Sequence, residues 1–545
     1  MQREVIKANV VVFIASFCTL VIELVAGRIM APYVGVSLYT WTSIIGVVLA
    51  GISIGAYLGG RIADRYPRSS TLGWLLFLSG LGAFSISPLT NLVGGAQFHT
   101  ALMTRILLVT SIIFFVPSCL LGMISPVVVK LTLNNLEKTG DVVGKIYAFS
   151  TLGSILGTFA TGFYLISWMG TRSILLTMGI ILILSGFIFG GFFKSKRAVA
   201  LFFLFLFVSV LLPFAGMHVY ATVTTGNFSF PLSPVESIGK LYAYAFKPSI
   251  EEETYFFKES DYYTIKLKKS IKGNNGNQLE SLVLDHLVHS YADLEDPLYI
   301  EYEYIRIYEE MVRWQASKRG AFKALFLGGG GYTFPRFMEA KYPKAVIHVV
   351  EIDPEITRVV QKYLGISEDT KIRSFNQDGR WFVMNCKEKG MYDFIFGDAF
   401  NDLSIPYHLT TKEFAMQLKA LLKPDGVLMA NVIDSFKKGA FMPSYIRTLE
   451  EVFGKGNVEL LTLSSDYDKI GISTFVVVAS PKKLDMDDFI RKVKGKGAEM
   501  TAHVMPQDRL QEYLKERYSV VLTDDYVPVD NLIAPIFEER FGYRQ

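Results

Sequence analysis

Cysteine is scarce, with three in 545 residues. Cys18 and Cys119 lie inside apolar runs and Cys386 stands alone in a polar stretch. Three cysteines exclude a disulfide framework, and no two have metal-ligand spacing. Histidine is nearly as rare, at seven. His348 reads as part of a strand, and His408, in IPYHLTTKEF, precedes Thr410, the expected N-cap of a helix. No metal is expected. Excess charge is missing too: 55 Lys and Arg against 51 Asp and Glu leave +4. Without an arginine-rich or aromatic-interleaved basic patch, nucleic acid is not an expected partner.

Apolar residues are what the chain has in excess. They make up 50% of it, and a mean hydropathy of +0.31 is too high for an ordinary soluble enzyme unless the excess is concentrated. It is concentrated in the first 220 residues. The runs Ala8 to Met30, Thr42 to Ile62, Leu72 to Val93, Ile106 to Val129, Val143 to Trp168, Ile174 to Phe193 and Ala198 to Gly216 are each long enough for a hydrocarbon core of about 30 Å. Residues 1–220 therefore read as a polytopic α-helical membrane domain with the lipid bilayer as partner. A signal peptide fits poorly, because the first run lacks a small-residue cleavage site and further runs follow. Gly51, Gly55 and Gly59 predict close helix packing. Glu23, mid-run with Arg28 a turn beyond, is a functional candidate by its depth. GGRIADRYPR, from Gly59 to Arg68, resembles the loop after the second helix of major facilitator transporters over ten residues.

Lysine and arginine gather in alternate loops: Arg3 and Lys7, then Arg61, Arg65 and Arg68, then Lys130, Lys138 and Lys145, then Lys194, Lys196 and Arg197. The positive-inside rule puts the N-terminus in the cytoplasm. Seven full crossings would then place the polar half outside. The last run is short and ends at Pro213, so the expectation is that it does not cross and that the polar half faces the cytoplasm.

A linker at 221–250 is followed by a polar, aromatic-rich half. Thr254 to Lys268 and Leu279 to Leu287 flank the turn KGNNGN and predict a small antiparallel sheet. Tyr299 to Trp314 predicts a helix with Tyr302, Ile305 and Tyr308 on one face. These form a subdomain at 251–320. From 321 to 545, apolar runs near Ala324, Val346, Lys371, Tyr392, Gly426, Val458 and Ser473 predict a mostly parallel sheet with helices on both faces. Within it, ALFLGGGGYTFPRFMEAKYPKAVIHVVEID (Ala324 to Asp353) reads as strand, glycine turn, helix, strand. Glycines such as Gly328 and Gly330 allow close backbone approach to a ligand. Glu351, about 20 residues on at a strand tip, can accept hydrogen bonds from ribose hydroxyls.

Residues from about Glu253 to Asn531 resemble the spermidine synthase family, the polyamine aminopropyltransferases, especially the versions carrying a membrane domain. The resemblance rests on ESDYYTIKL (Glu259 to Leu267), LVLDHLVHS (Leu282 to Ser290), LGGGGYTFPRF (Leu327 to Phe337), VVEIDP (Val349 to Pro354), the pair Asp378 and Gly379, and DFIFGDAFND (Asp393 to Asp402). It implies a Rossmann-like domain of the class I methyltransferase type and transfer of an aminopropyl group from decarboxylated S-adenosylmethionine to a small amine such as putrescine, with Glu351 on the ribose, Asp378 near the adenine amino group, and Gly379 beside it. A homodimer is left open as the assembly.

An amine that attacks the carbon next to a sulfonium must shed a proton and stay aligned, which asks for carboxylates. Asp398 is well placed at a strand end. The family offers a second aspartate three positions on, where this chain has Asn401, so Asp402 is expected to reach in. Tyr262, Asn401 and Asp525, the last in the acidic stretch TDDYVPVDN, are candidate substrate contacts. Two departures stand out. Gly331 replaces the aspartate that ends the family's glycine turn, and Tyr263 replaces a glutamine. Loss of that carboxylate makes intact S-adenosylmethionine easier to admit and keeps two alternatives open. One is methyl or aminocarboxypropyl transfer; the other is a transporter or sensor whose polar half only binds a nucleoside or polyamine.

Overall fold

Residues 2–34, 37–94, 102–133, 139–191, 253–400, 405–494 and 500–541 are described by a computed structural model. The run from Ala198 to Gly216, the linker at 221–250, Asn401 and Asp402 lie outside the described residues. The chain divides into two compact units, Met1–Glu252 and Glu253–Gln545.

The first unit is helical: α1 (Gln2–Val34), α2 (Leu38–Arg65), α3 (Ser69–Val93), α4 (Leu102–Gly122), α5 (Ile124–Thr132), α6 (Thr139–Ala160) and α7 (Thr171–Phe189). Among the described residues, six helical stretches are long and apolar enough to cross a membrane. The fourth apolar run is interrupted where α4 meets α5, and the Met123 N–H is shared between the carbonyls of Cys119 and Leu120, both at 3.2 Å. The fifth is interrupted by a π-helical turn, Thr161–Leu165, before a last α-helical turn, Ile166–Met169. The glycines of α2 do what their spacing predicts. A Cβ on Gly51 would come within 2.8 Å of Ser118 Cβ, and one on Gly59 within 2.6 Å of the Met123 backbone. Helices this close gain packing without a large apolar side chain between them. At the end of α2, Asp64 pairs with Lys130 at 2.7 Å and Arg61 lies over the Tyr57 ring.

The second unit begins with a four-stranded antiparallel sheet, β1 (Thr254–Glu259), β2 (Thr264–Lys272), β3 (Gln278–Leu284) and β4 (Leu287–Asp293), in sequence order. The predicted turn joins β2 to β3, and Gly276 supplies its positive φ of 86°. Helix α8 (Glu303–Ala316) follows.

The large sheet alternates with helices: β5 (Lys323–Leu327), α9 (Thr333–Lys341), β6 (Val346–Glu351), α10 (Pro354–Tyr363), β7 (Arg373–Asn376), α11 (Gly379–Asn385), β8 (Tyr392–Gly397), α12 (Lys412–Leu421), β9 (Leu422–Ser435), α13 (Phe441–Phe453), β10 (Val458–Thr462), β11 (Ile472–Ala479) and β12 (His503–Val504). Its order is β12-β10-β11-β9-β8-β5-β6-β7. The five strands from β9 to β7 are parallel, and β11, β10 and β12 add an antiparallel edge. Continuous burial of Ala324 through Leu327 and of Tyr392 through Phe396 marks β5 and β8 as central, covered on both faces. Phe326 stacks on Phe396 at 4.4 Å between ring centroids, and Tyr308 of α8 packs on Phe396 at 5.1 Å.

Strand order reverses at β5: β6 lies on one side and β8 on the other. A crevice opens at the carboxyl ends of strands at such a switch point. Gly328, Glu351, Asp378 and Asp398 all lie at those ends.

Candidate active site

Gly328 follows β5 with φ of 96°, and Gly330 has φ of 47°. These conformations favour glycine. A Cβ on Gly328 would stand 2.7 Å from the carbonyl carbon of Asp398, so the turn and the end of β8 touch backbone to backbone. Gly328 N–H donates to Val350 O at 2.8 Å, and Asp398 N–H donates to Leu327 O at 2.9 Å.

Glu351 closes this turn from the side of β6. Its Oε2 accepts the N–H groups of Gly329 and Gly330 at 2.8 and 3.3 Å, and its Oε1 accepts Asp353 N–H at 3.0 Å. Burial raises its pKa against those hydrogen bonds. Asp353 caps α10 through Glu355 N–H at 2.9 Å and receives the Ser260 hydroxyl from the small sheet.

Asp378 caps α11, accepting Trp381 N–H at 2.9 Å, and its other oxygen meets His408 Nε2 at 2.7 Å. Burial acts to raise its pKa, but these hydrogen bonds outweigh it and hold the carboxyl below its ordinary range. His408 sits in a 3₁₀ turn, Tyr407–Leu409. The N-cap of α12 is Thr411, which accepts Phe414 N–H, and not Thr410; the 3₁₀ turn uses Thr410 as its own last residue and moves the helix start by one.

Asp398 is part-buried where β8 ends. Its carboxylate accepts Tyr304 Oη–H at 3.0 Å and Asn431 Nδ2–H at 2.9 Å. Burial raises its pKa to about 6, and the two donors only partly oppose this. Desolvation favours the neutral acid, so this carboxylate is poised closer to neutrality than an exposed aspartate.

Two cavities meet at Asp398. The smaller, about 80 Å³, is bordered by Glu351, Ile352, Asp378, Gly379, His408 and Leu409. The larger, about 300 Å³, runs past Tyr302, Tyr304, Tyr308, Asn431 and Thr474. Gly328, Gly330, His289, Asp398 and Phe400 border both.

The structure thus brings together Gly328, Gly330, Glu351, Asp378, Gly379 and Asp398. Tyr262 is 43% exposed; its neighbour Tyr263 borders the smaller cavity and donates its hydroxyl to Phe400 O at 3.0 Å. Asp525 lies in an exposed turn outside the lining of either cavity. Its neighbour Asp524 pairs with Arg380, which anchors this turn to α11. Residues missed in sequence are Tyr304, Asn431, His289 and Ser290. The last two lie inside the motif LVLDHLVHS, where alternation along β4 was the available signal.

A mostly parallel sheet with a glycine turn, an acid at the tip of β6 and a part-buried acid after β8 makes a Rossmann-like fold with its site at the strand ends. Residues 307–484 match the family model described as the spermine/spermidine synthase domain. The chain is 26% identical over 497 residues to polyamine aminopropyltransferase 2 of Aquifex aeolicus, covering 89% of each. It is 37% identical over 116 residues to a polyamine aminopropyltransferase of Vibrio vulnificus, covering 21% of this chain and 39% of that one. A probable spermidine synthase structure from Corynebacterium glutamicum superposes with a TM-score of 0.44 at 19% identity, over 49% of this chain and 95% of that one. The chain is a transferase, and its residues 307–484 are similar to a spermine/spermidine synthase domain.

Proposed function

We propose that the chain is a membrane-bound aminopropyltransferase that moves the aminopropyl group of decarboxylated S-adenosylmethionine to a small amine such as putrescine. The observation that carries this reading is Asp398, a part-buried acid whose pKa is raised to about 6, at the junction of a small recess and a larger, mostly apolar cleft. The glycine turn packs its backbone against the end of β8 and leaves open space at Gly330, and Glu351 and Asp378 offer acceptors on the recess side. These residues fit an adenosyl group: Glu351 would hold the ribose and the Asp378–His408 pair would face the base. When bound, the sulfonium supplies a carbon activated toward an amine.

Asp398 receives the ammonium of the acceptor and takes its proton as the new nitrogen–carbon bond forms and the carbon–sulfur bond breaks. Tyr304 and Asn431 hold the carboxylate in position for this. Asn401 and Asp402 follow Asp398 by three and four positions; we assign Asn401 to acceptor binding and Asp402 to a second carboxylate contact. The six apolar helical stretches support attachment to a bilayer, with the polar half facing the cytoplasm, where the donor is made.

The test is incubation of the full chain with decarboxylated S-adenosylmethionine and a panel of amines. Amine-dependent release of 5′-methylthioadenosine is expected. Binding of the donor without release for any amine would instead favour a binding domain.

A further inference from the structure

Ser290 is buried, 3% exposed, and its hydroxyl has no hydrogen-bond partner. An unpaired buried hydroxyl is costly unless something comes to meet it. It points at the glycine turn: a Cβ placed on Gly331 would collide with Ser290 Oγ and stand 3.6 Å from Thr333 Oγ1. Gly331 is two residues ahead of α9, a nine-residue helix whose N-cap, Tyr332, provides no side-chain hydrogen bond to the first turn. Pro335, third in this helix, has no N–H, so Thr333 and Phe334 supply its first-turn amides, and the helix dipole favours negative charge there. An uncapped helix start and an unpartnered buried hydroxyl therefore converge on one point of the larger cavity, beside its border with the nucleoside recess.

The donors around that point are neutral ones. Among the described residues that border the larger cavity, the only acid is Asp398, and neither lysine nor arginine is present. Asp398 has its own donors in Tyr304 and Asn431. His289, which borders both cavities, has an Nε2 without a partner, and burial and the neighbouring His286 lower its pKa to about 4, so the ring is neutral near pH 7. A phosphate would meet no cation here, whereas a carboxylate needs only two or three neutral donors.

We propose that Ser290 and the first turn of α9 form a carboxylate subsite, through which the enzyme admits intact S-adenosylmethionine as well as the decarboxylated donor. The inference rests on the nucleoside reading of the smaller cavity given above. With the intact donor, the acceptor nitrogen bonds to the terminal carbon of the aminocarboxypropyl chain. The carbon–sulfur bond breaks with its electron pair going to sulfur, 5′-methylthioadenosine leaves as a neutral thioether, and the nitrogen's proton passes to Asp398. The product is an amine carrying a 3-amino-3-carboxypropyl group.

The test compares two nucleosides that differ in this chain: S-adenosylhomocysteine, which has the carboxylate, and 5′-methylthioadenosine, which has no amino-acid chain. Calorimetry on the full chain should show S-adenosylhomocysteine bound at least about tenfold more tightly, the scale of one charge-assisted hydrogen bond. Ser290→Ala removes an unpaired hydroxyl and should fold at least as well as the parent. It should erase most of that advantage and leave 5′-methylthioadenosine affinity unchanged. Equal affinities in the parent, or an advantage that Ser290→Ala leaves intact, overturn the subsite. Failure of 5′-methylthioadenosine itself to bind overturns the nucleoside reading, and the subsite falls with it.

Discussion

Replacing Asp398 by asparagine separates chemistry from stability, because the two should move in opposite directions. The carboxylate is held by Tyr304 at 3.0 Å and Asn431 at 2.9 Å, and its pKa is raised to about 6 by burial. Asparagine has the same shape and keeps an acceptor oxygen, but it takes no proton from an ammonium near neutral pH. Turnover should fall by about two to four orders of magnitude, the usual scale of lost general-base assistance. The folded pKa lies above the unfolded one, so the aspartate's contribution to stability is fully present below about pH 4 and is lost as the pH rises through about 6. A shift of about two units corresponds to at most about 3 kcal/mol. Asp398 opens to the cleft, and water reaching it reduces the expected gain in the variant to about 1 kcal/mol. Asp398→Asn should thus melt about 2 °C or more above the parent at pH 8, lose that advantage near pH 4, and bind 5′-methylthioadenosine unchanged. In the parent, kcat/KM should rise with pH up to about 6 as the carboxylate ionises. Full activity in the variant would remove Asp398 from the chemistry, and lower stability at pH 8 would contradict the desolvation argument.

Glu351→Ala removes the acceptor for two turn amides and the proposed ribose contact, so 5′-methylthioadenosine affinity should drop by about tenfold or more; unchanged affinity on calorimetry would take Glu351 out of the site. Gly328→Ala combines a φ of 96° with a Cβ pressed against the Asp398 backbone, and a loss of about 1–3 kcal/mol in denaturant titration is expected; an unaltered midpoint would mean that the turn relaxes freely. The same test as for Asp398, applied to Asp402→Asn, should cut turnover at least about tenfold if a second carboxylate contacts the acceptor, and wild-type turnover would leave Asp398 to act alone. Reporter fusions after Lys196 and after Lys247 should report the same, cytoplasmic side; opposite sides would deprive the proposed enzyme of its donor.

Much of the scaffold was legible because local signals agree with one another. The period and length of the apolar runs mark the helices of the first unit, and Gly51 and Gly59 already imply the close approach seen against α4. The glycine turn, Glu351 and Asp398 were readable because strand ends set where such residues must point. The rest depends on contacts distant in sequence. Tyr304 and Asn431 meet Asp398 across 94 and 33 positions, which no local pattern encodes. The choice between Tyr262 and Tyr263 turns on which side of β1–β2 faces the sheet. The antiparallel edge carried by β11, β10 and β12 has no composition signature that separates it from further parallel strands. Asp524 rather than Asp525 engages the fold because Arg380, 144 residues earlier, reaches it.

The central claim is that Asp398 receives the acceptor amine where the nucleoside recess opens into the long cleft. A structure of the full chain with 5′-methylthioadenosine and putrescine tests it most directly. The account predicts ribose hydroxyls on Glu351 and an amine nitrogen within hydrogen-bond distance of the Asp398 carboxylate. A nucleoside seated elsewhere, or an amine bound away from Asp398, would contradict it.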